Sequence, residues 1–140
     1  MQQLMTFVVN HWELFLALVV ILALLVGSGM GNQLRGIKSI SPAESINMIN
    51  HQDAVVLDVR EDKEIATGKI INSIHVPLAS LPNRLKELDK YKTRPIIVSC
   101  RTGNRSNNAC ATLKKNGFES VFNLNGGLVA WQNANFPLAK

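Results

Sequence analysis

The sequence predicts an α/β domain, a mostly parallel β-sheet flanked by helices on both faces, preceded by one N-terminal transmembrane helix. Three observations carry that expectation. Leu14 to Met30 reads LFLALVVILALLVGSGM, an apolar run without a charge. Downstream, short β-branched runs alternate with stretches of helical spacing, the pattern of a sheet built from strand–helix–strand units. The charge is also divided: the first 33 residues hold no Lys or Arg and one acid, Glu13, so all 15 basic residues lie beyond them. The chain is 140 residues long, 46% apolar and 18% charged, which excludes disordered, collagen-like and mucin-like classes. Two cysteines are too few for a disulfide scaffold. The net charge of +5 comes with no basic patch, so no nucleic acid is expected as a partner.

Residues 1–13 form a short N-terminal segment and 14–31 the expected transmembrane helix. At ~1.5 Å per residue that helix covers most of a ~30 Å hydrocarbon core. Trp12 stands where an interfacial aromatic would lie, and Arg35 and Lys38 follow the run. The positive-inside bias then puts the C-terminal side in the cytoplasm. The alternative is a cleaved secretory signal; it lacks a basic n-region, and small residues at 27–28 give it a weak cleavage site. A linker over 32–36 leads into one domain over 37–140, with no internal repeat.

Within that domain Ser41-Pro42-Ala43-Glu44 has the capping-box form, and a helix follows to about His51 with Ile46 and Ile49 on its apolar face. Ala54 to Asp58 reads as a strand buried on both faces. A short helix over Asp62–Thr67, a short strand over Ile74–Pro77 and a helix over Leu78–Leu88 come next. Pro95 to Cys100 is a second buried strand, Arg105–Asn116 a helix stopped by Gly117, Ser120–Leu124 a third strand and Gly127–Asn135 a last helix.

Ligands of such sheets bind beyond the carboxyl ends of the strands. Cys100 closes a strand there, followed by Arg101-Thr102-Gly103-Asn104-Arg105-Ser106. A Gly-containing loop turns successive N–H groups inward, and the next helix aims its positive end at the same point. A thiol so placed is biased toward the nucleophilic thiolate. Arg101 and Arg105 add positive charge suited to an anionic substrate.

Residues 35–137 resemble a single rhodanese-like (sulfurtransferase) domain. The resemblance rests on four motifs in the family's order: Leu57-Asp-Val-Arg-Glu61, Gly68-Lys-Ile-Ile-Asn-Ser-Ile-His-Val-Pro77, Cys100-Arg-Thr-Gly-Asn-Arg-Ser106 and Gly126-Gly-Leu-Val-Ala-Trp131. It implies a persulfide carried on Cys100, loaded from a small-molecule sulfur donor such as thiosulfate and passed to a thiol or protein acceptor. It implies residues 101–105 as the cradle of the persulfide, and Asp58 with Arg60 as a supporting pair. Whether Arg60 reaches the substrate anion stays open, and neither cofactor nor metal is implied. The chain departs from the family at Lys69, where His is frequent, at Ser73, where Ala is, and at Ile65, where an aromatic is.

Related phosphatases use Cys-x5-Arg, a loop one residue longer. Here the sixth residue after Cys100 is Ser106 and the arginine comes one earlier, which favours a sulfur atom over a tetrahedral phosphate. Gly126-Gly127 and Trp131 read as a tight turn and a packing aromatic. Cys110 reads as a core residue, with a resolving thiol for Cys100 as the sharper alternative. A second reading of the whole chain is a weakly catalytic binding module of the same fold, tethered to the membrane.

Overall fold

Starting from its N-terminus, the chain divides into two units, Met1–Gly36 and Ile37–Lys140, in a computed structural model. It describes the backbone of residues 1–33 and 36–140 and the side chains of 1–27 and 36–140. The first unit holds helices α1 (Gln2–Asn10) and α2 (Trp12–Gln33). Among the described residues no single helix is long and apolar enough to cross a membrane. Gln2–Asn10 and Trp12–Gly27 taken together, bent by 80°, have the length and composition for it. The helix expected over 14–31 lies within α2, and α1 precedes it across the bend. Helix α1 went unassigned in the sequence because its apolar residues are broken by Thr6 and Asn10. Of the expected linker over 32–36, residue 34 and Arg35 lie outside the described residues, and 32–33 end α2.

The second unit is built on a five-stranded, wholly parallel sheet of β1 (Lys38–Ile40), β2 (Val55–Asp58), β4 (Ile74–His75), β5 (Ile96–Ser99) and β6 (Val121–Leu124), in the order β1-β6-β5-β2-β4. The central strands β2 and β5 are buried at every position, as continuous apolar runs require when both faces are covered. Alternation sorts their side chains. Leu57, Ile96, Val98 and Val121 face α6 (Asn104–Lys115) and the segment 78–91; Val56, Ile97 and Leu124 face α3 (Pro42–His51) and α7 (Gly127–Asn133). Helix α3 starts where the capping box put it. The Ser41 hydroxyl accepts from the Glu44 N–H at 3.2 Å, and the Glu44 carboxylate accepts from the Ser41 N–H at 2.7 Å.

Three elements differ from expectation. Leu78–Leu88 is not one α-helix but a 3-10 turn (Leu78–Ser80), α5 (Leu81–Arg84) and a 3-10 stretch (Leu85–Tyr91). The apolar residues Leu85, Leu88 and Tyr91 recur every three positions, and a helix of three residues per turn keeps all of them on the core. Strand β1 pairs with β6 at the sheet edge although it buries Ile40 alone of its three residues. A separate antiparallel pair joins β3 (Lys69–Ile70) to β7 (Leu138–Ala139), so the end of the chain is tied down beside α4 (Asp62–Ile65).

Candidate functional site

The β5 ladder ends at Ser99, and Cys100 is the first residue beyond it, 1% exposed. The next turn is set by Gly103, whose φ of +104° suits a residue without a side chain and which caps α6. Because α6 begins at Asn104, one residue earlier than its spacing suggested, Ser106 is its third residue and its N–H is still free of intrahelical partners. The Gly103 N–H donates to Cys100 Sγ at 3.1 Å, and Sγ lies 3.4 Å from the Ser106 hydroxyl. Burial pushes the thiol up. The Ser106 hydroxyl and the N–H groups of Ser106, Gly103 and Thr102 outweigh it and bring the thiol below its ordinary value. Within the loop expected to form the cradle, the Gly103 N–H bonds the sulfur, and the N–H groups of Thr102 and Ser106 also favour its charged form.

The remaining candidates divide. Arg101, Thr102 and Asn104 are exposed on the loop, while Arg105 is turned aside. Its guanidinium makes a two-pronged ion pair with Glu64 of α4, at 2.7 and 2.8 Å. That arginine holds the Glu64 carboxyl well below its usual range, at about 2, and Glu64 in turn pushes Arg105 up. Asp58 and Arg60 form a buried pair as the resemblance implied: Arg60 Nε lies 3.0 Å from both carboxylate oxygens and Nη2 2.8 Å from Oδ2. The same guanidinium donates to the carbonyls of Gly68 and Glu64, at 2.8 and 3.3 Å, and His75 Nε2 meets the Arg60 carbonyl at 2.7 Å. With these partners and 2% exposure, Arg60 staples β2 to the 64–68 turn. It also borders a cleft of about 420 Å³ beside the loop, together with Lys63, Glu64, Arg101 and Val129.

Helix α7 supports the loop from behind. The Leu128 and Val129 N–H groups donate to the carbonyls of Cys100 and Arg101, at 2.8 and 3.1 Å. Gly127 is packed so closely there that a Cβ would sit 2.6 Å from the Cys100 oxygen. Trp131 is buried, its indole donating to the Pro137 carbonyl. Cys110 is fully buried, and burial first, then the charge of Cys100, pushes its thiol up to about 12.

Ser106 enters from the sequence only as a member of the loop motif, and Asn123 and Glu64 not at all. Asn123 on β6 donates to the Gly103 carbonyl at 3.1 Å and accepts from the Ser106 hydroxyl at 2.5 Å. An amide in an otherwise apolar strand was the available signal, since a buried Asn requires partners.

A family model described as a rhodanese-like domain matches residues 41–134. The uncharacterised protein YibN of Escherichia coli K12 is 33% identical over 141 residues, spanning all of this chain and 99% of that protein. Thiosulfate sulfurtransferase GlpE of Ectopseudomonas mendocina is 38% identical over 100 residues, 71% of this chain and 88% of that one. Among solved structures, a rhodanese-related protein from Thermoplasma volcanium superposes with a TM-score of 0.66 at 33% identity, covering 73% of this chain and 97% of that one.

Proposed function

The chain belongs to the rhodanese-like family, and from that premise we propose that it is a sulfurtransferase carrying sulfur on Cys100. The observation that carries the reading is the Cys100 sulfur itself, held 3.1 Å from the Gly103 N–H at the start of α6, with its thiol below the ordinary value. The Cys100 thiolate attacks the outer sulfur of a donor such as thiosulfate. The donor's S–S bond breaks, sulfite leaves with the bonding pair, and a persulfide remains on Cys100. The N–H groups of Thr102, Gly103 and Ser106 hold the negative charge of that persulfide. An acceptor thiolate then takes the outer sulfur and returns Cys100 as thiolate. Exposed Arg101 draws the anionic donor, whereas Arg105, neutralised by Glu64, orders the loop.

The N-terminal unit serves as a membrane anchor, with the domain on the cytoplasmic side. The charge-free run 14–31 and the basic residues after it support that placement.

Incubating the full chain in detergent with thiosulfate and measuring intact mass tests the sulfur chemistry. One added sulfur is expected on the wild type and none on Cys100→Ala. An unloaded wild type overturns the reading. Carbonate extraction of membranes from expressing cells tests the anchor: the full chain stays with the pellet, and a chain starting at Ile37 does not.

A further inference from the structure

The hydrogen bonds around Cys100 fix where a proton sits. Asn123 has one orientation: its Nδ2 is 3.1 Å from the Gly103 carbonyl, which accepts and cannot donate, so Oδ1 must face Ser106. At 2.5 Å from that oxygen, the Ser106 hydroxyl spends its single proton on Asn123. Toward Cys100 it therefore presents lone pairs, and the 3.4 Å contact is an S–H donated by the thiol to Ser106. A thiolate has no such proton to give. Ser106 serves a thiolate or a persulfide anion only by swinging its own O–H off Asn123 and onto sulfur.

We propose that Asn123 is a positioning residue that sets the direction of the Ser106 hydroxyl, competing with the Cys100 sulfur for its proton and releasing the hydroxyl to sulfur when charge appears there. Two buried polar groups on different elements, Ser106 at 0% and Asn123 at 5% exposure, share one hydroxyl proton between them. The same Asn123 ties the cap of α6 through the Gly103 carbonyl, so loop geometry and hydroxyl direction are set by one side chain. Arg105 and Cys110 are the other titratable groups that act on the Cys100 charge, and neither bonds to Asn123. The proposal rests on Cys100 as the nucleophile, but its test reads ionisation of the thiol and not sulfur transfer.

The test is the pH profile of Cys100 alkylation by iodoacetamide, on the full chain in detergent, with Cys110→Ala as background. Asn123→Leu keeps the volume and removes the acceptor. Its alkylation rate at pH 7 is expected to rise roughly three- to tenfold, about the worth of one hydrogen bond, with the profile's midpoint moved down. In a Ser106→Ala chain, where the substitution removes only the bond to the Gly103 carbonyl, a clearly smaller shift is expected. Asn123→Ala, smaller and without an acceptor, is the second variant should Asn123→Leu fail to fold, with the same result expected. An unmoved midpoint, or the same shift with and without Ser106, overturns the proposal. Loss of loop order alone would shift both backgrounds equally.

Discussion

Glu64 and Arg105 meet across 41 residues of sequence in a two-pronged ion pair, and the Glu64 carbonyl also accepts from Arg60. One short helix is thus tied to two of the three arginines around the site, Arg60 and Arg105. Glu64→Gln is expected to cost about 1 kcal/mol, the value of a partly exposed pair. The sign with pH follows from the depressed carboxyl. Its contribution is complete above the usual value near 4.5 and is lost as pH falls toward about 2. Urea titrations at pH 7 and pH 3 should therefore differ more for the wild type than for the variant. Freeing Arg105 beside the loop should also lower the KM for thiosulfate roughly two- to fivefold.

Gly127→Ala introduces a methyl 2.6 Å from the Cys100 carbonyl oxygen and 2.7 Å from Arg101 backbone atoms, at a φ of +57°. Backbone strain alone costs about 1–3 kcal/mol, and the loop must move as well. We expect a thermal melt shifted down and sulfur loading on Cys100 slowed at least tenfold. Gly117→Ala, with open space around it but a similar φ, should lose stability without slowing the loading.

Ser73 is 6% exposed, and its hydroxyl has no hydrogen-bond partner among the described residues. Ser73→Ala removes an unsatisfied buried group and should stabilise the domain by about 1 kcal/mol, read as a higher denaturant midpoint with unchanged slope.

The two cysteines should separate chemically. Iodoacetamide at pH 8 is expected to place one adduct on the native chain, at Cys100, whose thiol lies below its ordinary value. Cys110, pushed up to about 12, stays unmodified until the chain is unfolded. Peptide mapping before and after urea checks this.

Strands β2, β5 and β6 were legible because each is an apolar run long enough to show burial, and α3 because its cap is written in adjacent residues. The strands β3 and β7, two residues each, are too short to carry a period. They exist through pairing between residues 69–70 and 138–139, a partnership that no local window contains. The site divides in the same way. Cys100 and Gly103 stand within one loop and declare their chemistry by spacing. Glu64 and Asn123 reach that loop from 41 and about 20 residues away, so their roles appear only once the sheet brings them together.

The β3–β7 pair has a practical side. Leu138 lies against Gly68, whose carbonyl is held by Arg60, and Arg60 in turn grips Asp58 at the end of β2. Leu138 and Ala139 therefore act as a latch on the 68–70 segment, two contacts from the buried ion pair. Forms of the chain trimmed or bulkily tagged at 138–139 would weaken that latch, and sulfur loading lost on such trimming would report a loosened support for Arg60 rather than a missing reagent.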